Sequence, residues 1–251
     1  MLAVIGGSGL TQLANLEVDR REVVRTPWGD PSGPLTFGRI GGQSVVFLAR
    51  HGYGHSIPPH RVNYRANIWA LTREAGANRI VSVASVGSIH KDFGPGKLVI
   101  PHQIIDYTWG RESSFYEGGE GQVVHVDFTH PYSEEVRNEL LRAAEVAGVA
   151  VAEGAVYATT QGPRLETAAE VNRLERDGAD IIGMTGMPEA VLARELDIPY
   201  AALCVVANWA AGRADSTEGI RFERIEDVLL EAMGQVRQVI AGLCTEEFCP
   251  I

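Results

Sequence analysis

Short runs of Val, Ile and Leu bounded by Gly or Pro alternate along this chain with stretches in which apolar residues recur at helical spacing. The runs predict strands at 2–5, 35–40, 44–49, 79–84, 97–107, 154–159, 180–184 and 200–207. Helices are predicted at 61–75, 133–146, 166–176, 188–196 and 225–243. Ser133 ahead of Glu134 and Glu135 suits an N-cap, and Pro188 followed by Glu189 suits a first helical turn. In the last helix, Ile225, Val228, Leu229 and Ala232 share one stripe. The segment 109–121 has no periodicity and several glycines, so it reads as a long loop. Strands alternating with helices imply an α/β fold, with a sheet covered on both faces. No repeat, linker or low-complexity tract divides the 251 residues, so one domain over 1–251 is expected.

A net charge of -10 argues against nucleic acid or an anionic membrane as partner, so any bound anion must be held by a local cluster. No apolar run reaches membrane length, and the opening residues LAVIGGSGL lack the basic start of a signal peptide. Cys204, Cys244 and Cys249 are odd in number and carry no metal-site spacing, which suits a reduced, cytoplasmic setting.

The candidate chemistry lies where predicted strands end. Gly6-Gly7-Ser8-Gly9 follows the first strand and fits anion binding and a plain tight turn equally well. Gln12 stands where a dinucleotide fingerprint needs its third glycine. Arg50-His51 follows the strand VVFLA and offers a fork of donors to phosphate, or simply a charge pointing into water. His51 and His55 are separated by glycines, without a third ligand, so no metal site is expected. Further turns at 84–88, 161–164 and 184–186 carry hydroxyl or basic residues, in the places where open α/β sheets gather ligands. Neither a nucleophile elbow nor a spaced Cys–His pair supports covalent catalysis.

IGGSGL (5–10), LARHG (48–52), PPHRVNYRANIWAL (58–71), SVASVGS (82–88), SFY (114–116), QGPRLET (161–167), MTGMPEAVLARE (184–195) and VVAN (205–208) occur in order. Together they resemble the trimeric purine nucleoside phosphorylase family, most closely its methylthioadenosine phosphorylase branch. The resemblance covers nearly the whole chain. It implies a mixed twisted sheet forming a distorted barrel flanked by helices, a homotrimer, and phosphorolysis of a purine nucleoside with no cofactor. Inorganic phosphate would be the co-substrate, held by Ser8, Arg50, His51, Ala84, Ser85 and Thr185. The family usually has a hydroxyl residue where Ala84 stands, so that contact would fall to a backbone N–H. Met184 would pack under the sugar, while Phe115 and His125 would reach the 5′ end of a neighbouring subunit's substrate.

Departures from the branch narrow the expected substrate. The branch carries two aspartates where this chain has Asn208 and Ala210. An Asn amide can donate to N7 and a 6-oxo oxygen, whereas an ionised Asp only accepts. Members acting on 6-oxopurines carry Glu in the motif matching 162–167, and here that residue is Glu166, suited to accept the N1 proton. Asn208, Glu166 and His51 are therefore the expected catalytic residues. As plain structure, Asn208 would cap a turn and Glu166 would be a helix N-terminal acid. Where phosphorylases of an ordinary 5′-hydroxyl place a His, this chain has Ile225, with Val228 and Leu229 on the same face; this suits a methylthio group, and equally a core stripe. The combination specifies S-methyl-5′-thioinosine, giving hypoxanthine and 5-methylthioribose 1-phosphate. Methylthioadenosine phosphorolysis and general inosine/guanosine phosphorolysis are the alternatives. A nucleoside sensor or a hydrolase on the same fold would release no base with phosphate, or release it without phosphate.

Overall fold

The fold is described from a computed structural model, over residues 1–118 and 123–245. Every predicted strand and helix is present, and two strands were not foreseen. The strands are β1 (Leu2–Gly6), β2 (Glu17–Glu22), β3 (Leu35–Ile40), β4 (Gln43–Ala49), β5 (Arg79–Ser88), β6 (Leu98–Ile100), β7 (Gln103–Asp106), β8 (Val151–Glu153), β9 (Val156–Thr159), β10 (Ile181–Gly183) and β11 (Tyr200–Trp209). The helices are α1 (Tyr64–Trp69), α2 (Glu134–Val146), α3 (Ala168–Arg176), α4 (Gly186–Glu195) and α5 (Phe222–Gly242).

Alternation along the central strands fills two cores. Val4, Val81, Val83, Leu203 and Val205 face α2 and α5. Ile5, Ile80, Ala84, Cys204 and Val206 face α1 and α4. A smaller cluster lies beneath α3, around Val171, Leu174 and Ile182. The described cysteines, Cys204 and Cys244, are buried and unpaired, and Cys249 lies outside the described residues. No helix among the described residues is long and apolar enough to cross a membrane.

The expected barrel is incomplete. One hydrogen-bonded path runs β2-β3-β4-β1-β5-β10-β9-β7, while β11, β6 and β8 branch from the other edge of β5. The single strand expected at 97–107 breaks at Pro101, which lacks a ladder N–H, into β6 on one branch and β7 on the other. The chain itself, rather than a ladder, spans the gap between the branches.

The helix expected at 61–75 starts late, because Asn63 caps it by accepting from the Ala66 N–H, and its last turn is a π-turn over Ala70–Glu74. Ser133 caps α2 as expected. In α3, Thr167 is the cap and forms a capping box with Glu170, so Glu166 stands outside the helix. In α4, Met187 is extended, and regular helical geometry begins only beyond it, at Pro188. The segment 109–118 is irregular, and the rest of the expected loop, 119–121, lies outside the described residues.

Candidate active site

The site arises from a gap in the sheet. β1 pairs with β5 only as far as Ile5↔Ser82, and β10 takes up the same edge only at Gly87 and Ser88. β11 occupies the opposite edge throughout. Among the described residues, therefore, no strand lies beside 83–86 of β5 on one edge. Val83 C=O turns into this opening, where the Arg50 Nη1 donates to it at 3.0 Å. The two-residue period of a strand directs Ser85 N–H to the same side. The ends of β1, β4, β10 and β11 border the opening, and a cavity of about 650 Å³ fills it, a volume typical of small-ligand sites.

Ser8, Arg50, His51, Ala84, Ser85 and Thr185 all line this one cavity. The turn at Gly7 is forced by space: a Cβ there would stand 2.6 Å from Val83 O and 2.9 Å from Arg50 Nη1. Ser8 Oγ lies 2.9 Å from His55 Nε2, and the His51 and His55 rings are 4.7 Å apart. His51 Nδ1 sits 2.8 Å from Ile57 C=O and must donate to it, which leaves Nε2 as an acceptor in the neutral ring. Burial, and then the Arg50 charge, push the His51 pKa down to about 4, so the ring is neutral at neutral pH.

Arg50 corrects one expectation. Its fork is not aimed at a ligand; it grips Glu189 of α4 through Nε and Nη2, at 2.7 and 2.8 Å, with both side chains at most 1% exposed. Nη2 also donates to Ser82 Oγ at 2.6 Å. Ser82 Oγ and Tyr200 Oη each donate to Glu189 Oε2 at 2.9 Å. With five N–H groups per guanidinium, these contacts leave a single Nη1 proton for a ligand. Sequence reasoning missed Glu189, since an acid in a first helical turn is what any helix start carries.

The opposite end of the cavity holds Glu166 and Asn208. Thr160 Oγ1 donates to Glu166 Oε1 at 2.6 Å. Burial pushes the Glu166 carboxyl up, and the Thr160 bond pulls it back. Asn208 is not the free double donor expected of it. Its Nδ2 donates to the Trp209 carbonyl at 2.6 Å, leaving one N–H and Oδ1. Met184 lines the cavity between the two ends, under Gly162, where a Cβ would meet its sulfur at 2.5 Å. Arg111, also unforeseen, donates to the carbonyls of Met184, Met187 and Gln161 at 2.8, 2.6 and 2.9 Å. It thereby ties the turn carrying Glu166 to the one carrying Met184 and Thr185.

The third wall is apolar: Ile225 and Leu229 of α5 face Ile57 and Pro58, and Ile220 and Phe222 extend the wall beyond what the sequence suggested. Val228 does not belong to it; one residue out of phase, it lines a neighbouring recess of about 250 Å³ with Trp209 and Arg224. Phe115 is also corrected. It is 7% exposed and turned inward onto Trp28 and Trp69, with centroids at 5.4 and 5.8 Å, rather than presented to another subunit. His125 is exposed and away from the cavity of its own chain.

This gap-centred cavity, on this sheet, defines a class. The chain belongs to the Phosphorylase superfamily, whose family model matches residues 1–244. Among its relatives, a protein of Pseudomonas syringae pv. tomato named "Probable S-methyl-5'-thioinosine phosphorylase" is 52% identical over 239 residues, 95% of this chain and 96% of that one. The 6-oxopurine nucleoside phosphorylase of Pyrococcus furiosus is 48% identical, across 84% of this chain and 80% of that one. Among solved structures, methylthioadenosine phosphorylase from Schistosoma mansoni in complex with adenine superposes with a TM-score of 0.92 at 31% identity, covering 97% and 90% of the two chains.

Proposed function

We propose that this protein phosphorolyses S-methyl-5′-thioinosine to hypoxanthine and 5-methylthioribose 1-phosphate, with inorganic phosphate as co-substrate and no metal or cofactor. The observation that carries this reading is a single cavity that joins three environments. One is a polar end around Ser8, Arg50 and Thr185; the second is an end with Glu166 and Asn208; the third is the apolar wall of Ile220, Ile225 and Leu229. The relatives named for methylthioinosine and for 6-oxopurine nucleosides point the same way.

Phosphate attacks the anomeric carbon as the glycosidic bond breaks, leaving an electron-poor sugar and an electron-rich purine. The protein need only hold the phosphate in line and hydrogen-bond the departing base. In the proposed assignment, Ser8, the Ala84–Ser85 backbone, Thr185 and the last Arg50 N–H donate to phosphate, and His51 Nε2 accepts from the hydroxyl of its monoprotonated form. Met184 supports the sugar. The Glu166 carboxylate accepts from N1–H, and the remaining Asn208 N–H donates to the N7/O6 edge. Adenine would set its N1 lone pair against the Glu166 carboxylate, and one mismatched buried group costs about 1–3 kcal/mol, on the order of tenfold or more in discrimination. The apolar wall accepts a methylthio group and leaves a 5′-hydroxyl unsatisfied. Assembly is proposed as a cytoplasmic homotrimer of one-domain subunits, in which His125 alone, with Phe115 committed to the core, reaches the neighbouring site.

The test is kcat/KM for methylthioinosine, methylthioadenosine and inosine, with and without phosphate. Methylthioinosine is expected to be the best substrate, and base release is expected to require phosphate. Equal or better use of methylthioadenosine would overturn the base assignment, and preference for inosine would overturn that of the apolar wall. Base release without phosphate would make the protein a hydrolase.

A further inference from the structure

Glu166 is the only carboxylate among the described residues that line the cavity, and its protonation state decides what it can recognise. Ionised, it accepts from the N1–H of a 6-oxopurine. Protonated, it becomes a donor and matches the N1 lone pair of a 6-aminopurine. Its half-buried position favours the wrong form for the proposed substrate, because burial penalises the charge.

Two hydrogen bonds oppose that penalty, the larger from the Thr160 side chain and the smaller from the Glu166 backbone N–H. Thr160 lies just beyond β9, where its N–H donates to Gly183 C=O at 2.8 Å and continues the Thr159↔Gly183 pairing of β9 with β10. The backbone therefore fixes where its hydroxyl stands. From there Oγ1 donates to Glu166 Oε1 at 2.6 Å, which orients the carboxylate and leaves Oε2 for a ligand. A hydroxyl donating to a carboxylate favours the charged form.

Other charged groups near Glu166 contribute less. In the recess on its outer side, Arg164 and Glu170 are locked to each other by bonds of 2.8 and 2.7 Å, with Arg173 and Tyr107 also lining that recess. On the cavity side, Arg50 is neutralised by Glu189, and His51 and His55 stand at the phosphate end.

We propose that Thr160 is a positioning residue that sets base specificity by holding Glu166 as an oriented, ionised acceptor. The inference rests on the assignment of Glu166 to the base. It extends that assignment by making specificity a property of the Thr160–Glu166 pair, and so dependent on pH.

The experiment compares the parent protein with Thr160→Val, Thr160→Ser and Glu166→Gln, measuring kcat/KM for methylthioinosine and methylthioadenosine across pH. The ratio of the two substrates cancels any titration at the shared phosphate end. For Thr160→Val, the acid limb for methylthioinosine is expected to move up by about one pH unit, with a loss of about tenfold in the ratio on that limb and recovery at alkaline pH. Thr160→Ser keeps the hydroxyl and is expected to follow the parent. A merely structural role would lower both substrates together at every pH. An unchanged acid limb and ratio in Thr160→Val, while Glu166→Gln collapses the ratio, would overturn the Thr160 role alone. An unchanged ratio in Glu166→Gln would overturn the base assignment, and the Thr160 role with it.

Discussion

The Arg50–Glu189 pair makes a prediction whose size follows from its contacts. Both side chains are at most 1% exposed, and Glu189 receives two charge-assisted bonds from the guanidinium, with Ser82 and Tyr200 adding hydroxyl donors. Replacing Glu189 with Leu leaves a fully buried cation bonded only to Ser82 Oγ and Val83 C=O. Breaking a buried pair from one side costs about 3–5 kcal/mol. That is a large fraction of the roughly 5–15 kcal/mol that holds a typical domain together. Glu189→Gln preserves the shape, but it sets an amide N–H₂ against one of the Arg50 donors, so its cost is expected to be smaller, about 1–3 kcal/mol. Replacing both members, as Arg50→Met with Glu189→Leu, removes the unpaired charge and is expected to return stability to within about 1 kcal/mol of the parent. The assay is urea unfolding at one fixed protein concentration, with a phosphate titration of the folded variants. The double variant is expected to fold and yet show no phosphorolysis, because the last Nη1 proton has gone. A Glu189→Leu protein within about 1 kcal/mol of the parent would refute the reasoning.

Other expectations are narrower. Asn208→Asp cannot donate to the Trp209 carbonyl, so the side chain should turn into the cavity and shift the methylthioinosine/methylthioadenosine ratio toward the 6-aminopurine, by about tenfold, with Glu166 limiting the gain; an unmoved ratio counts against its contact with the base. Ile225→Asn gives a 5′-hydroxyl a partner, and the kcat/KM ratio of inosine to methylthioinosine should rise about tenfold; no rise would remove Ile225 from the 5′ end. His51 is held neutral in the fold, its pKa lowered from 6.5 to about 4, so the unfolded chain binds the proton first as pH falls. Its contribution to stability is therefore intact above pH 6.5 and declines toward pH 4, by at most about 3 kcal/mol. Phosphate-free denaturation should show this slope in the parent and less of it in His51→Gln; equal slopes would sink the assignment.

How much of this was legible in sequence follows from the range of each interaction. β1, β4, β5 and β11 show themselves because each fills two cores with alternate residues, a local pattern with a local cause. β2 does not, because EVDRRE is exposed at every position and is held by pairing with β3 and by Arg20 and Arg21 over the Phe37 and Tyr53 rings. The cavity residues could be gathered by their common position at strand ends, but not the partners that fix them. Glu189 is 139 residues from Arg50, and only the packing of α4 against the sheet brings them together. Phe115 reads as a free aromatic in a polar loop until Trp28 and Trp69 converge on it. Val228 and Leu229 share one sequence stripe, yet the cavity edge falls between them. Glu166 shows the opposite case: its alternative role as a helix-start acid disappears once Thr167 and Glu170 form the capping box without it.

The same contacts bear on how the reaction can be driven. A chain of net charge -10 was expected to hold any anion by a local cluster, yet the one arginine among the described residues lining the cavity is already neutralised by Glu189, and His51 is uncharged. In the proposed site, phosphate is then met by hydroxyls, by the Ser85 N–H exposed at the sheet gap and by a single Arg50 N–H, with no unpaired arginine close to it. Such donors fix geometry without quenching the anion's charge. What remains of that charge is stabilised only as the glycosidic bond lengthens and the sugar becomes electron-poor, so the interaction is stronger in the transition state than in the ground state, as catalysis requires. In the proposed site, Glu189 thus serves the chemistry from outside the cavity: by neutralising Arg50, it leaves the phosphate's attraction to be satisfied by the sugar.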